Sequence, residues 1–118
     1  MLPDGFDPGR LQRLLDLVGP DQAPILLAQL RLDLAGCADS IARAVPGPDW
    51  ETLREASHVL ISLAGSAGAM RLHENAQALN AAAHAAHPAA LVGLLPQLRA
   101  DLDTLIALVE AAPAQASR

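Results

Sequence analysis

The chain has 118 residues, 52% of them hydrophobic and 18% charged, which excludes a disordered chain and gives one domain enough material for a single core. Its net charge of −5 argues against nucleic acid or anionic membrane as the main partner. The single cysteine, Cys37, leaves no internal disulfide and no cysteine-based metal site to be built, and no apolar run is long enough to span a bilayer.

Ala and Leu dominate, with one Phe, one Trp and no Tyr, and β-branched residues are few and scattered. Both favoured residues are good helix formers, so the expected class is all-α. All basic residues are arginines; the chain contains no lysine. The first eight residues show neither a basic nor an apolar leader segment, and the expected location is the cytoplasm.

Residues 1–7 read as a loose lead-in. Asp7 and Pro8 are the expected cap and first turn of a short helix carrying Leu11, Leu14, Leu15 and Val18, which Gly19-Pro20 stops. Asp21 is the expected cap of a long second helix, with Pro24 in its first turn. Leu27, Leu30, Leu34, Cys37, Ile41 and Ala44 recur in steps of three and four and form its packing seam. Cys37 reads there as a small buried hydrophobe. Pro46-Gly47-Pro48 ends the helix.

Asp49 caps a third predicted helix with Trp50, Leu53, Ala56, Leu60, Leu63 and Ala67 on its apolar side. At about 100° per residue, His58 lies roughly 140–160° from Leu53 and Leu60, on the opposite face. Glu51, Arg54, Glu55, Ile61, Ser62 and Gly65 share that face. Gly65 and Gly68 are expected to weaken or bend the helix and to admit another backbone. A fourth helix carries Leu72, Ala76, Leu79, Ala83 and Ala86 on its seam, with Glu74, Asn80, His84 and His87 opposite. Pro88 opens the last helix, whose seam is Leu91, Leu95, Leu98, Leu102, Leu105 and Val109; Pro96 is expected to kink it near residue 92. Residues 113–118 read as a loose tail. The expected fold is therefore one domain over residues 1–118, with a core from about 8 to 111: an antiparallel four-helix bundle with a short additional N-terminal helix.

A rigid, exposed imidazole with small neighbours is what a phosphoryl carrier needs, because phosphoryl transfer is mostly positioning and charge stabilisation. Ser62 and Gly65, one and two turns beyond His58, keep its surroundings low. His84 and His87 have a spacing that can share a metal, but without further ligands they read as surface histidines. Gly65-Ser66-Ala67-Gly68 lacks the lysine and the preceding strand of a P-loop.

In wording and spacing, Ser57, His58, Leu60, Ala64, Gly65, Gly68 and Ala69 resemble the core motif of histidine-containing phosphotransfer (HPt) domains. Residues 50–54 and the run Leu72, Ala76, Leu79 resemble the segments that flank it, and the likeness extends from about residue 10 to residue 110. The resemblance implies a phosphoryl carrier without a nucleotide site of its own, not an enzyme, serving a bacterial two-component phosphorelay. It implies receiver domains of response regulators or hybrid histidine kinases as partners, with the metal on the receiver, no cofactor of the carrier's own, and a monomer. His58 is then the phosphoryl acceptor.

The family lysine is Ile61 here and the following glycine is Ser62. The resemblance leaves Arg54 and His84 to supply charge, Ser62 to donate to a phosphoryl oxygen, Gly65 to keep the site open, and Asn80 to orient the histidine. Ile61 becomes a hydrophobic docking contact. The same two replacements favour a competing reading, a degenerate bundle that docks signalling partners or dimerises without transferring phosphate.

Overall fold

The structure, a computed structural model, describes residues 5–7 and 9–112. These residues form five helices: α1 (Arg10–Val18), α2 (Ala23–Ala44), α3 (Trp50–Ala67), α4 (Met70–Ala85) and α5 (Pro88–Ala111). Among the described residues there is no strand, only an isolated antiparallel bridge between Phe6 and Ala69. The fold is all-α, as the composition implies. Helices α2 to α5 close a four-membered bundle, α3 packing on α2 and α4, and α5 on α4 and α2, while α1 lies against α2 and α3. No helix among the described residues is long and apolar enough to cross a membrane.

The core follows the seams. Leu27, Leu30, Leu34, Cys37, Ile41 and Ala44 of α2 are buried, as are Leu53, Ala56, Leu60, Ala64 and Ala67 of α3. Leu72, Ala76, Leu79 and Ala83 of α4 meet Leu91, Leu98, Leu102, Leu105 and Val109 of α5. Each fully buried leucine contributes about 1.5–3 kcal/mol relative to exposure. Trp50, Leu63 and Leu95 are only half-buried, at the margin of their stripes. Helix α5 runs unbroken through Pro96.

Helix ends differ from expectation where local chemistry competes. Asp49 caps α3 as expected, accepting from the Thr52 N–H at 3.1 Å and from the Thr52 hydroxyl at 2.6 Å. Asp21 does not cap α2. The N-cap is Gln22, without a side-chain bond, and Pro24 in the first turn has removed an N–H that an aspartate would have bound. Helix α1 begins at Arg10 behind Gly9, not behind Asp7; the Asp7 carboxylate accepts from the Gly9 N–H at 3.1 Å and pairs with Arg13 at 3.5 Å. Pro8 lies outside the described residues. Ala86, expected in the α4 seam, is instead an exposed left-handed cap with φ 50°. Pro88 keeps His87, the residue before it, in extended geometry (φ −107°, ψ 95°), so the helix has to end at Ala86.

Residues 5–7 are not loose. Asp7 donates to Gly68 O at 2.7 Å, and Arg71 donates to Gly5 O at 3.1 Å. Gly68 makes this possible: its φ is +80°, and a Cβ there would stand 2.7 Å from Arg10 Cβ and 3.1 Å from Asp7 O. A second tie, absent from the sequence reading, joins α4 to α5. Arg71 donates twice to Asp101 at 2.8 Å, and Gln97 adds a third hydrogen bond to this carboxylate at 3.0 Å.

Candidate functional site

Helix α3 turns two adjacent polar residues to different faces. Ser57 is fully buried against α4, and His58 is exposed. Among the described residues no hydrogen bond or ion pair engages the His58 ring. The small seam residues Ala64 and Ala76 let α3 and α4 pack closely, and polar groups along one edge of that contact fix the register.

Arg54 O is one node. It accepts from Ser57 Oγ at 3.1 Å and from Asn80 Nδ2 at 3.2 Å, while Asn80 Nδ2 also donates to Ser57 Oγ at 3.1 Å. In an α-helix the same carbonyl receives the N–H of the residue four positions on, which is His58. Asn80 therefore holds the backbone beneath His58 rather than its ring. Ile61 O is the second node, 2.8 Å from His73 Nδ1. A carbonyl only accepts, so Nδ1 carries the proton. The His73 ring fills the space over Gly65, where a Cβ would lie 3.1 Å from Nδ1. Gly65 thus admits a side chain and not a second backbone, and α3 continues through it to Ala67.

The remaining candidates fall into place around these nodes. Arg54 is half-buried one turn before His58 on the same face, with no ion pair among the described residues. Ile61 is half-buried and Ser62 exposed. His84 is exposed but is not brought alongside His58: α3 and α4 run antiparallel, and one turn beyond Asn80 it lies level with the start of α3, about 10 Å along the axis. His87 is the N-cap of α5, its Nδ1 accepting from the Ala90 N–H at 3.0 Å. No group of three or more His, Cys, Asp or Glu among the described residues is arranged to hold a metal.

Beside His58, on its α2 side, Leu32, Asp33, Gly36, Cys37, Glu55 and Val59 line an open groove of ≈480 Å³. Leu32 and Val59 are 57% and 46% exposed, and Cys37 forms the buried floor. Burial raises the thiol pKa of Cys37 above its ordinary value, and the Asp33 carboxylate adds to this.

The family model described as the Hpt domain matches residues 25–111, which takes in α3, α4 and the whole polar edge between them. The chain belongs to the Hpt domain family. No curated protein and no solved structure matches it. Hpt domains are phosphotransfer modules of two-component systems, phosphocarriers rather than enzymes, and they work with receiver domains or histidine kinases.

Sequence reasoning missed Ser57, His73 and Gln77 as members of this edge. The available signal was a second stripe on α4: His73, Gln77, Asn80 and His84 recur at helical spacing, opposite Arg54, His58, Ile61 and Gly65.

Proposed function

We propose that this Hpt domain carries a phosphoryl group on His58, taking it from a receiver-domain aspartyl phosphate and passing it to a second receiver. The observation that carries this reading is an exposed imidazole with no partner among the described residues, on a helix turn whose carbonyls are held from α4 on both sides. A ring nitrogen lone pair forms the P–N bond as the P–O bond to the aspartate breaks, and the carboxylate leaves with the electron pair. The proton of the second ring nitrogen is released to water. Return transfer reverses each step. The receiver brings its own metal, and the carrier supplies position.

Arg54 provides the cation on the His58 face, and Ser62 provides a hydroxyl one turn beyond. The exposed Leu32 and Val59, with half-buried Ile61, offer apolar area for a receiver to cover. Ile61 and Ser62 at the positions of the usual lysine and glycine favour a second reading, receiver docking without transfer.

Incubation with phosphorylated receiver domains decides between them. Labelling that disappears in His58→Gln supports transfer. Labelling that survives the substitution removes His58 from the role, and receiver binding with no labelling of the parent protein selects the docking reading.

A further inference from the structure

On the α3–α4 edge one polar side chain lies between two that are already bonded across it. His73 is bonded to Ile61 O and Asn80 to Arg54 O, so the two helices are pinned in antiparallel register at both ends of one short span. That register sets Gln77, between His73 and Asn80, within one residue's rise (about 1.5 Å) of the level of His58, between Arg54 and Ile61. Both are exposed, and among the described residues Gln77 has no hydrogen-bond partner. Helices in contact lie about 8–10 Å apart, and small seam residues favour the short end of that range, within reach of these two side chains.

The neighbours of Gln77 are already committed. An amide nitrogen has two donors, and Asn80 spends both, on Arg54 O and Ser57 Oγ. His73 Nδ1 donates to Ile61 O. Ile61 has no polar group to offer, and there is no lysine in the chain. A phosphoryl group on His58 has three oxygens carrying nearly two negative charges, and each requires donors.

From this placement, and resting on His58 as the acceptor, we infer that Gln77 is a further catalytic residue of the transfer. Its carboxamide N–H donates to an oxygen of the phosphoryl group as that group arrives on the ring, from the α4 side, opposite the Ser62 hydroxyl. The donor is neutral and lies on a helix, so it stabilises transferred charge without a flexible cation.

The test uses the full chain, phosphorylated either by a phosphorylated receiver or by phosphoramidate, which releases ammonia as its phosphoryl group moves to the imidazole. Gln77→Ala should slow receiver-to-His58 transfer by about tenfold, the size expected for one hydrogen bond to a charged group. Thermal stability should not change. Gln77→Arg, which keeps a donor at similar reach, should restore the rate, and Gln77→Glu, which has none, should be at least as slow as Ala. In 15N-edited NMR spectra the Gln77 side-chain amide, assigned by its loss in Gln77→Ala, should shift on phosphorylation of His58. If His58 is phosphorylated but the amide does not move and Gln77→Ala stays within about twofold of the parent rate, the inference is overturned while the carrier reading stands. If His58 accepts phosphate from neither donor, the carrier reading fails, and this inference fails with it.

Discussion

Asn80 Nδ2 lies 3.1 Å from Ser57 Oγ and 3.2 Å from Arg54 O, so one amide from α4 binds two groups in the turn that leads into His58. Ser57 is fully buried, which makes the bond to it a closed polar contact inside the α3–α4 interface. Removing one partner strands the other. Asn80→Ala is expected to cost about 1–3 kcal/mol, and Ser57→Ala about 1 kcal/mol. Because both share one node, the double variant should cost less than the sum, and denaturant melts of the four proteins in a double-mutant cycle measure that shortfall. Strict additivity would show that the node is not shared.

The Asp49 cap gives a pH signature. Hydrogen bonds from the Thr52 hydroxyl and then the Thr52 N–H hold its carboxyl below its ordinary pKa. A folded-state pKa below the unfolded one contributes stability that is present above the unfolded pKa and lost as pH falls through the folded pKa. Asp49→Ala should therefore lower Tm at pH 7, by about 5 °C for a domain of this size. The gap between parent and variant should narrow steadily below pH 4 as the parent loses the same interaction. A gap independent of pH would assign the loss to something other than the charged cap.

Ala86 holds a conformation that L-residues with a Cβ adopt at a cost of roughly 1–2 kcal/mol. It is exposed, and its φ of 50° is one that glycine accepts freely. Ala86→Gly should raise stability by about 0.5–1 kcal/mol, after the larger unfolded-state entropy of glycine is subtracted. Chemical denaturation with an unchanged m-value is the check; a loss of stability would contradict the left-handed cap.

Arg71 and Asp101 are unequal partners. The Asp101 side chain is 5% exposed and the Arg71 side chain 40%. Among the described residues, Arg71→Met leaves a buried carboxylate with only Gln97 to bind it, whereas Asp101→Leu leaves a guanidinium that water still reaches. The first should cost about 2–3 kcal/mol and the second distinctly less. Equal losses, measured by thermal and denaturant melts, would show that burial does not separate the two sides.

The parts legible in the sequence were those encoded within one element. The steps of three and four from Leu27 to Ala44 and from Leu91 to Val109 specify which face is buried, and helical phase alone placed His58 outside. Asp49 was readable as a cap because nothing nearby competes with it, while Asp21 was not, because Pro24 removes an N–H in the turn it would bind. Asn80 was legible as a polar residue near the site but not in what it holds. Its bonds to Arg54 and Ser57 span 26 and 23 residues, and the Arg71–Asp101 pair spans 30. Such contacts depend on the register between two helices, which the periodicity of either one leaves open. For the same reason His84 looked close to His58 and lies well along the bundle from it.

The position of Cys37 gives the molecule a reporter of its own opening. The only thiol in the chain is 6% exposed beneath the groove between α2 and α3, its Sγ 3.7 Å from Ala56 O. At that burial a thiol reagent reaches it mainly when those helices part, so the labelling rate tracks openings of the face beside His58. A receiver seated over Leu32 and Val59 would close that route, and slower labelling would then measure its occupancy without any probe being added to the protein.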